Sequence, residues 1–280
     1  MEKLMVVDGS NLLLQMFYGM PARITGRNGR SIQGTLGFLG ALLKSIRMTG
    51  ATHVAVLFDG ECDNTRRELD ADYKANRPDY SEIPEEDTPF SQLPDLYCAL
   101  DHLGICHRET TDCEADDWIA GYAERYGKEI DMVILSQDSD FFQLVTDRVR
   151  VLRYRGKQSA ILGPEEIYEK LGVWPKNYAA YKSLTGDQAD NIRGVEKIGP
   201  KTASSLINQF GDLENLLQNV DQISKPSIRE SVKRNVQRIR TNHFLIKLSG
   251  TEDLPFPVDD LGFCDPQASS VQVLKEMEIL

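Results

Sequence analysis

At 280 residues the chain is long enough for one large α/β domain, or for a core domain with a smaller appendage. Its 41% hydrophobic and 27% charged content is that of a soluble globular protein, and five cysteines without a CxxC pair argue against a disulfide scaffold and fit a reducing cytoplasm. No apolar run reaches the length of a membrane helix, and a net charge of −11 speaks at first against a polyanionic partner.

The chain opens on "LMVVD" (4–8), a short apolar run ending in aspartate, which predicts a buried parallel strand. "GTLGFLGALLKSIRMTG" follows with helical apolar spacing and a glycine stop, and "HVAVLFD" (53–59) repeats the strand-then-aspartate pattern. The next stretch, "CDNTRRELDADYKANRPDYSEIPEEDTPF", is polar, charge-mixed and proline-containing, a surface excursion or insertion. After a helix near Leu93–Leu103, "EADDWIAGYAERYGK" (114–128) reads as a helix opening on three acids, and "MVILSQDSD" (132–140) as another strand ending in aspartates. From about Pro164 the pattern is helical, and from about Gly250 a proline- and acid-bearing tail is expected to wrap the body. The expected organisation is a core over 1–163 with the excursion at about 61–92, a helical module over 164–250, and a tail over 251–280.

Strands alternating with helices imply a doubly wound, mostly parallel α/β sheet, whose ligands sit beyond the carboxyl ends of the strands. Asp8, Asp59 and Asp138 all fall at such ends. In extended backbone Asp138 and Asp140 point to one side. Glu114, Asp116 and Asp117, taken alone, read as complementing a helix dipole. Asp187 and Asp190, three apart, share a helix face or cap a helix start. Together, nine acids from five separated segments converge on one rim and would repel strongly without cations. Oxygen donors with no histidine or cysteine among them suit Mg²⁺ or Mn²⁺, and two such ions about 4 Å apart support in-line displacement at a phosphodiester. There is neither a Walker A loop nor a GxSxG elbow, so the chain is read as a metal-dependent nuclease or phosphatase.

The charge is also uneven: Lys197 to Lys247 holds nine Lys/Arg against four acids. A solvated helix face is the simpler account of "KPSIRESVKRNVQRIR" alone, but the distribution restores a polyanion as a partner.

"VVDGSNLL", "VLFDG", "YKANRP", "EADDWIA", "SQDSDFFQLVT", "LTGDQADNIRGV" and "KIGPKTASSLI", in this order over roughly residues 4–250, resemble the 5′-nuclease family. That family comprises the amino-terminal domain of bacterial DNA polymerase I, its stand-alone relatives, phage 5′-exonucleases and flap endonucleases. The resemblance implies a PIN-like α/β core with a carboxy-terminal helix–three-turn–helix module of the helix–hairpin–helix type. It implies a first metal site of Asp8, Asp59, Glu114 and Asp116, and a second of Asp138, Asp140, Asp187 and Asp190, with Asp117 in support. Lys74 and Arg77 would contact the scissile phosphate from a helical arch, Tyr73 would stack on an unpaired base, and Arg66 and Arg67 would line the same wall. Gly194, Lys197, Gly199, Lys201 and Thr202 would hold a duplex phosphate, with K⁺ at that turn.

The implied activity is structure-selective hydrolysis of DNA at 5′ flaps or 5′ ends, at a junction of single strand and duplex. RNA–DNA hybrid is a variant substrate; the enzyme would act as a monomer, away from membranes, with a polymerase only in trans. Acids at 79, 82, 85, 86 and 87 depart from the family pattern and imply either a weaker grip on a single strand or a loop that faces away from it. The alternatives are a PIN-like endoribonuclease and a non-catalytic DNA-end-binding protein.

Overall fold

The structure is a computed structural model describing residues 2–27, 29–60, 69–70, 72–76, 80, 82–251 and 253–280. Among them, β1 (Lys3–Asp8), β2 (His53–Phe58), β3 (Cys106–Glu109), β4 (Asp131–Leu135), β5 (Val149–Arg153) and β6 (Ala160–Leu162) form one sheet in the order β3-β2-β1-β4-β5-β6. All pairings are parallel except that of β6, which closes one edge antiparallel to β5.

The apolar runs are continuous because both faces of the sheet are covered. Met5 and Val7 enter a core with Leu13, Phe38 and Leu42, from α1 (Gly9–Gly19) and α2 (Gln33–Thr49). Leu4 and Val6 point the other way, against Ile119, Tyr122 and Tyr178. This two-residue alternation is what a strand imposes on its side chains. α1 starts directly where β1 ends, and a Cβ on Gly9 would lie 2.8 Å from the Leu57 carbonyl oxygen, so only glycine fits there. Gly50, at φ +68°, ends α2 in the left-handed conformation that the glycine stop predicts.

Beyond the sheet come the helices Pro164–Leu171, Tyr178–Thr185, Pro200–Phe210, Leu213–Gln218, Pro226–Arg234 and Val236–Ile246. Leu184, Val195, Ile198, Leu206, Ile207 and Ile239 share a second core there. The terminal segment runs back over the sheet: Phe263 N–H donates to the Thr52 carbonyl at 2.8 Å, and Val273 and Leu274 enter the α2 core. No helix among the described residues is long and apolar enough to cross a membrane.

Two local expectations are corrected. β4 stops at Leu135 and Asp140 opens a 3-10 turn, so Asp138 and Asp140 are not in extended backbone. Asp138 instead accepts the Asp140 N–H at 2.8 Å, a turn bond that an aspartate favours over a ladder. Asp187 and Asp190 lie on no helix either: Asp187 ends the short strand β7 (Gly186–Asp187), which pairs with β8 (Ile192–Arg193).

Candidate active site

In this strand order, β1 is flanked by β2 on one side and β4 on the other, so successive crossovers leave in opposite directions and open a crevice at the β1 carboxyl end. Asp8 sits there, capping α1 through Asn11 N–H at 3.0 Å and accepting the Ser136 hydroxyl at 2.8 Å. Asp59 follows β2 and accepts the Ala115 N–H at 3.0 Å, tying it to the start of the Ala115–Tyr126 helix. Glu114 is the N-cap residue of that helix, and the Asp117 carboxylate accepts the Glu114 N–H at 3.3 Å. Asp117 thus performs the terminal capping that its position at a helix start suggests.

The electrostatics join these acids into one site. Burial and then Asp59 push the Asp8 carboxyl up to about 7. Burial, then Asp8, Asp138 and Asp59, hold Asp116 well above the usual carboxylate range. Burial, followed by Asp138, Asp187 and Asp190, does the same to Asp140. Asp138 therefore bridges two subsets, one with Asp8, Asp59 and Asp116, the other with Asp140, Asp187 and Asp190. The resemblance groups the first three with Glu114 and the second three with Asp138. A buried lysine and a half-buried one face this charge. Lys74 Nζ lies 2.6 Å from Glu114 Oε1, and Lys182 Nζ lies 2.6 Å from Asp187 Oδ2.

Lys74 is only 6% exposed and adopts φ +56°, and its N–H donates to the Asp190 carbonyl at 3.0 Å. Asn76 donates to the Gln188 carbonyl at 2.9 Å and Asn191 to the Asp72 carbonyl at 2.8 Å. The "YKAN" segment is thereby stitched to the Asp187–Asp190 turn. Tyr73 corrects an expectation: it is buried against Ala179, Ile192, Leu245 and Ile246, so its ring offers no free face to a base. Arg66, Arg67 and Arg77 lie outside the described residues. Part of the acidic excursion folds back on the core, where Asp87 pairs with Arg23 at 3.0 Å and Tyr80 shares a hydrogen bond with Tyr18 at 2.9 Å.

On the same backbone, the turn from Gly194 to Gly199 leads into the Pro200–Phe210 helix. Gly194 serves the interior: a Cβ there would lie 2.3 Å from the Thr185 carbonyl oxygen. Gly199 is different, because a Cβ on it would meet nothing within 4 Å. Val195 and Ile198 anchor the turn by burial, leaving Lys197, Gly199 and Lys201 exposed and Thr202 half-buried. Downstream, Lys233 pairs with Asp221 and Arg240 with Glu214, which takes up part of the local positive excess.

Sequence reasoning missed Lys182 and Arg153. Lys182 reads as an ordinary helical lysine in "KNYAAYKSLTGD", yet it precedes the acid it neutralises by little more than one helical turn. Arg153 ends β5, and the strand-end rule that singles out Asp8 applies equally to it.

No three acidic, histidine or cysteine side chains among the described residues already enclose a metal position. The donor set still fits hard divalent cations. It is all oxygen, and it carries more negative charge than Lys74 and Lys182 offset, as the upward shifts of Asp8, Asp116 and Asp140 register.

Comparison with known proteins gives a consistent result. Residues 3–172 match the model of the 5′-3′ exonuclease N-terminal resolvase-like domain, and residues 173–269 that of the 5′-3′ exonuclease C-terminal SAM fold. The chain is 30% identical to a 5′-3′ exonuclease of Aquifex aeolicus, covering all of this chain and 93% of that protein. It is 36% identical to the thermostable DNA polymerase I of Thermus aquaticus over 98% of this chain, but spans only 32% of that relative's length. Among solved structures, the bacteriophage T5 flap endonuclease in a pseudo-enzyme–product complex with DNA and metal ions superposes with a TM-score of 0.73 at 22% identity, covering 99% of this chain and 98% of that one. The catalytic core of Rad2 with DNA substrate superposes with a TM-score of 0.61 at 19% identity, covering 98% and 88%. At these identities the two structures speak for the fold.

Proposed function

We propose, for a chain that belongs to the 5′-3′ exonuclease family, that it cuts DNA phosphodiesters at 5′ flaps or 5′ ends with two divalent ions. The observation that carries this reading is the acid rim: seven carboxylates of five segments, from Asp8 to Asp190, linked through Asp138 by mutual repulsion. Asp8, Asp59, Glu114 and Asp116 would hold one ion, and Asp138, Asp140, Asp187 and Asp190 the other. Bound there, Mg²⁺ or Mn²⁺ supplies the Lewis acidity that makes water a nucleophile and offsets charge on the leaving oxygen.

The chain's own groups do the rest. The sheet and its turns fix the acids before substrate arrives, so their oxygens need little reorganisation. Lys74, held beside Glu114, carries a positive charge at the rim that serves a phosphate once the acid has another partner. Arg77 is assigned the same task on the family resemblance. The turn from Gly194 to Gly199, with Lys197, Lys201 and Thr202, would grip a duplex phosphate through open backbone and lysine charge, independent of base sequence. K⁺ at that turn rests on the resemblance alone. We assign the protein to the cytoplasm as a monomer, acting on flap, junction or RNA–DNA hybrid.

The test is incubation with labelled 5′-flap DNA, linear duplex and single-stranded RNA, in Mg²⁺ and in chelator. Mg²⁺-dependent cleavage of the flap, or of the duplex from its 5′ end, supports the proposal. Cleavage confined to RNA would replace it with an endoribonuclease, and tight flap binding without cleavage in Mg²⁺ or Mn²⁺ with a DNA-end binder.

A further inference from the structure

Between the acid rim and the Pro200 end of its helix lies an open cleft of about 450 Å³, lined by Arg153, Lys170 and Lys182 among others. Arg153 comes from the carboxyl end of β5, Lys170 from the Pro164–Leu171 helix and Lys182 from the Tyr178–Thr185 helix. Three elements that meet nowhere in sequence thus turn cations toward one space. Two of them crowd a single ring: Arg153 lies 5.1 Å and Lys170 5.5 Å from the centroid of Phe142. Burial, then Arg153 and Arg155, depress the Lys170 ammonium, and burial, then Arg155, depress Arg153.

Asp138 partly offsets Arg153 and Asp187 pairs with Lys182, whereas Lys170 meets the like charges of Arg153 and Arg155, a repulsion that a bound anion would relieve. A more specific sign is the Arg153 Nε. It is buried and has no hydrogen-bond partner among the described residues, although another guanidinium nitrogen donates to the Gln137 carbonyl. An orphaned charged donor of this kind is costly. A phosphate oxygen is the ligand that a guanidinium fork and a flanking ammonium recognise best.

We propose that this cleft is a further phosphate site, holding a backbone phosphate of the DNA strand between the one cut at the acid rim and the one gripped at the hairpin turn. The proposal rests on the DNA-cutting reading above and adds Arg153, Lys170 and Lys182 to the binding surface. Lys182 stands at the border of the two sites, paired with Asp187. The cleft faces both the rim, through Asp187, and the hairpin module, through Pro200, so a strand crossing from one to the other passes over it.

The test is equilibrium binding of 5′-flap DNA to the full chain, with calcium replacing magnesium to keep the strand uncut, over a series of salt concentrations. Lys170 is exposed, so Lys170→Glu leaves folding intact, while Arg153→Lys retains charge but removes the fork. Lys170→Glu is expected to weaken binding about tenfold and lower the slope of log K against log salt by roughly 0.7–0.9, as for one lost phosphate contact. Arg153→Lys is expected to weaken binding about threefold or more with little change in slope, because the charge stays. Lys44→Glu, the same charge change on an exposed position of α2, is the control and should leave both quantities near wild type. Wild-type affinity and slope in Lys170→Glu, or losses matched by Lys44→Glu, would overturn the proposal. A wild-type protein that binds the flap but never cuts it sinks the nuclease reading instead, and the slopes still decide the cleft.

Discussion

The acid rim and the hairpin turn meet on one segment, which carries Asp187 and Asp190 and then Gly194 to Gly199, yet they solve opposite problems. At the rim, side chains of one sign are forced together by a rigid sheet, and burial with mutual repulsion lifts Asp8, Asp116 and Asp140 toward the neutral form. At the turn, buried Val195 and Ile198 hold the backbone while Lys197, Gly199 and Lys201 remain open to solvent. On the proposed function, chemistry at the rim would depend on cations and pH, and binding at the turn would depend on salt. The comparison teaches that cutting and holding should be separable by mutation.

The largest expected effect is on the rim side. Asp138→Asn removes the carboxylate shared by both acid subsets, and single-turnover cleavage should fall by about 10³-fold or more, roughly 4 kcal/mol in the barrier. DNA affinity should stay level or rise, since a negative charge facing a polyanion is lost. A parallel fall in affinity would break the separation of cutting from holding. Next comes Lys74→Ala, expected to lower turnover by about 10²-fold while duplex affinity changes by less than about threefold. Equal losses would make Lys74 a binding residue rather than a cutting one. Because the variant leaves Glu114 without its lysine, melting in Mg²⁺ should be recorded alongside.

A third measurement sharpens the electrostatic half. The folded Asp8 carboxyl is raised to about 7 from 3.8, so its protonated form is the one the fold favours. The associated stability is fully present below about pH 4 and is lost as pH rises through about 7. In chelator, denaturant unfolding should show Asp8→Asn more stable than wild type at pH 8, by on the order of 1–3 kcal/mol, with the gap closing toward pH 4. Asparagine keeps the cap on α1, so capping does not confuse the comparison. The smallest effect belongs to the turn: Lys201→Gln should weaken duplex binding about threefold and reduce the salt slope by roughly 0.9, leaving the cleavage rate at saturation unchanged.

Much of this site is legible in the sequence because its signals are local. An apolar run ending in aspartate marks β1, β2 and the approach to Asp138, and the parallel sheet then places those acids at one edge. What escapes depends on neighbours distant in the chain. β3, "CHRE", carries no apolar run because it is an edge strand, and only pairing with β2 makes it a strand. Tyr73 looks like a stacking aromatic until residues from 179 to 246 close around it. Asp138 and Asp140 follow a strand, but an aspartate-turn bond wins over extended backbone once β4 ends. Lys182 and Arg153 stayed hidden because a lone cation on a helix or strand is ordinarily a solvated one.

The central claim is that the rim is built for two divalent ions. A count of Mn²⁺ bound to the full chain with flap DNA, by electron paramagnetic resonance, tests it most directly. Two ions are predicted for wild type, with one lost when Asp187 and Asp190 are both changed to Asn. A wild-type protein that binds no divalent ion, or that cleaves the flap in chelator, would contradict the account.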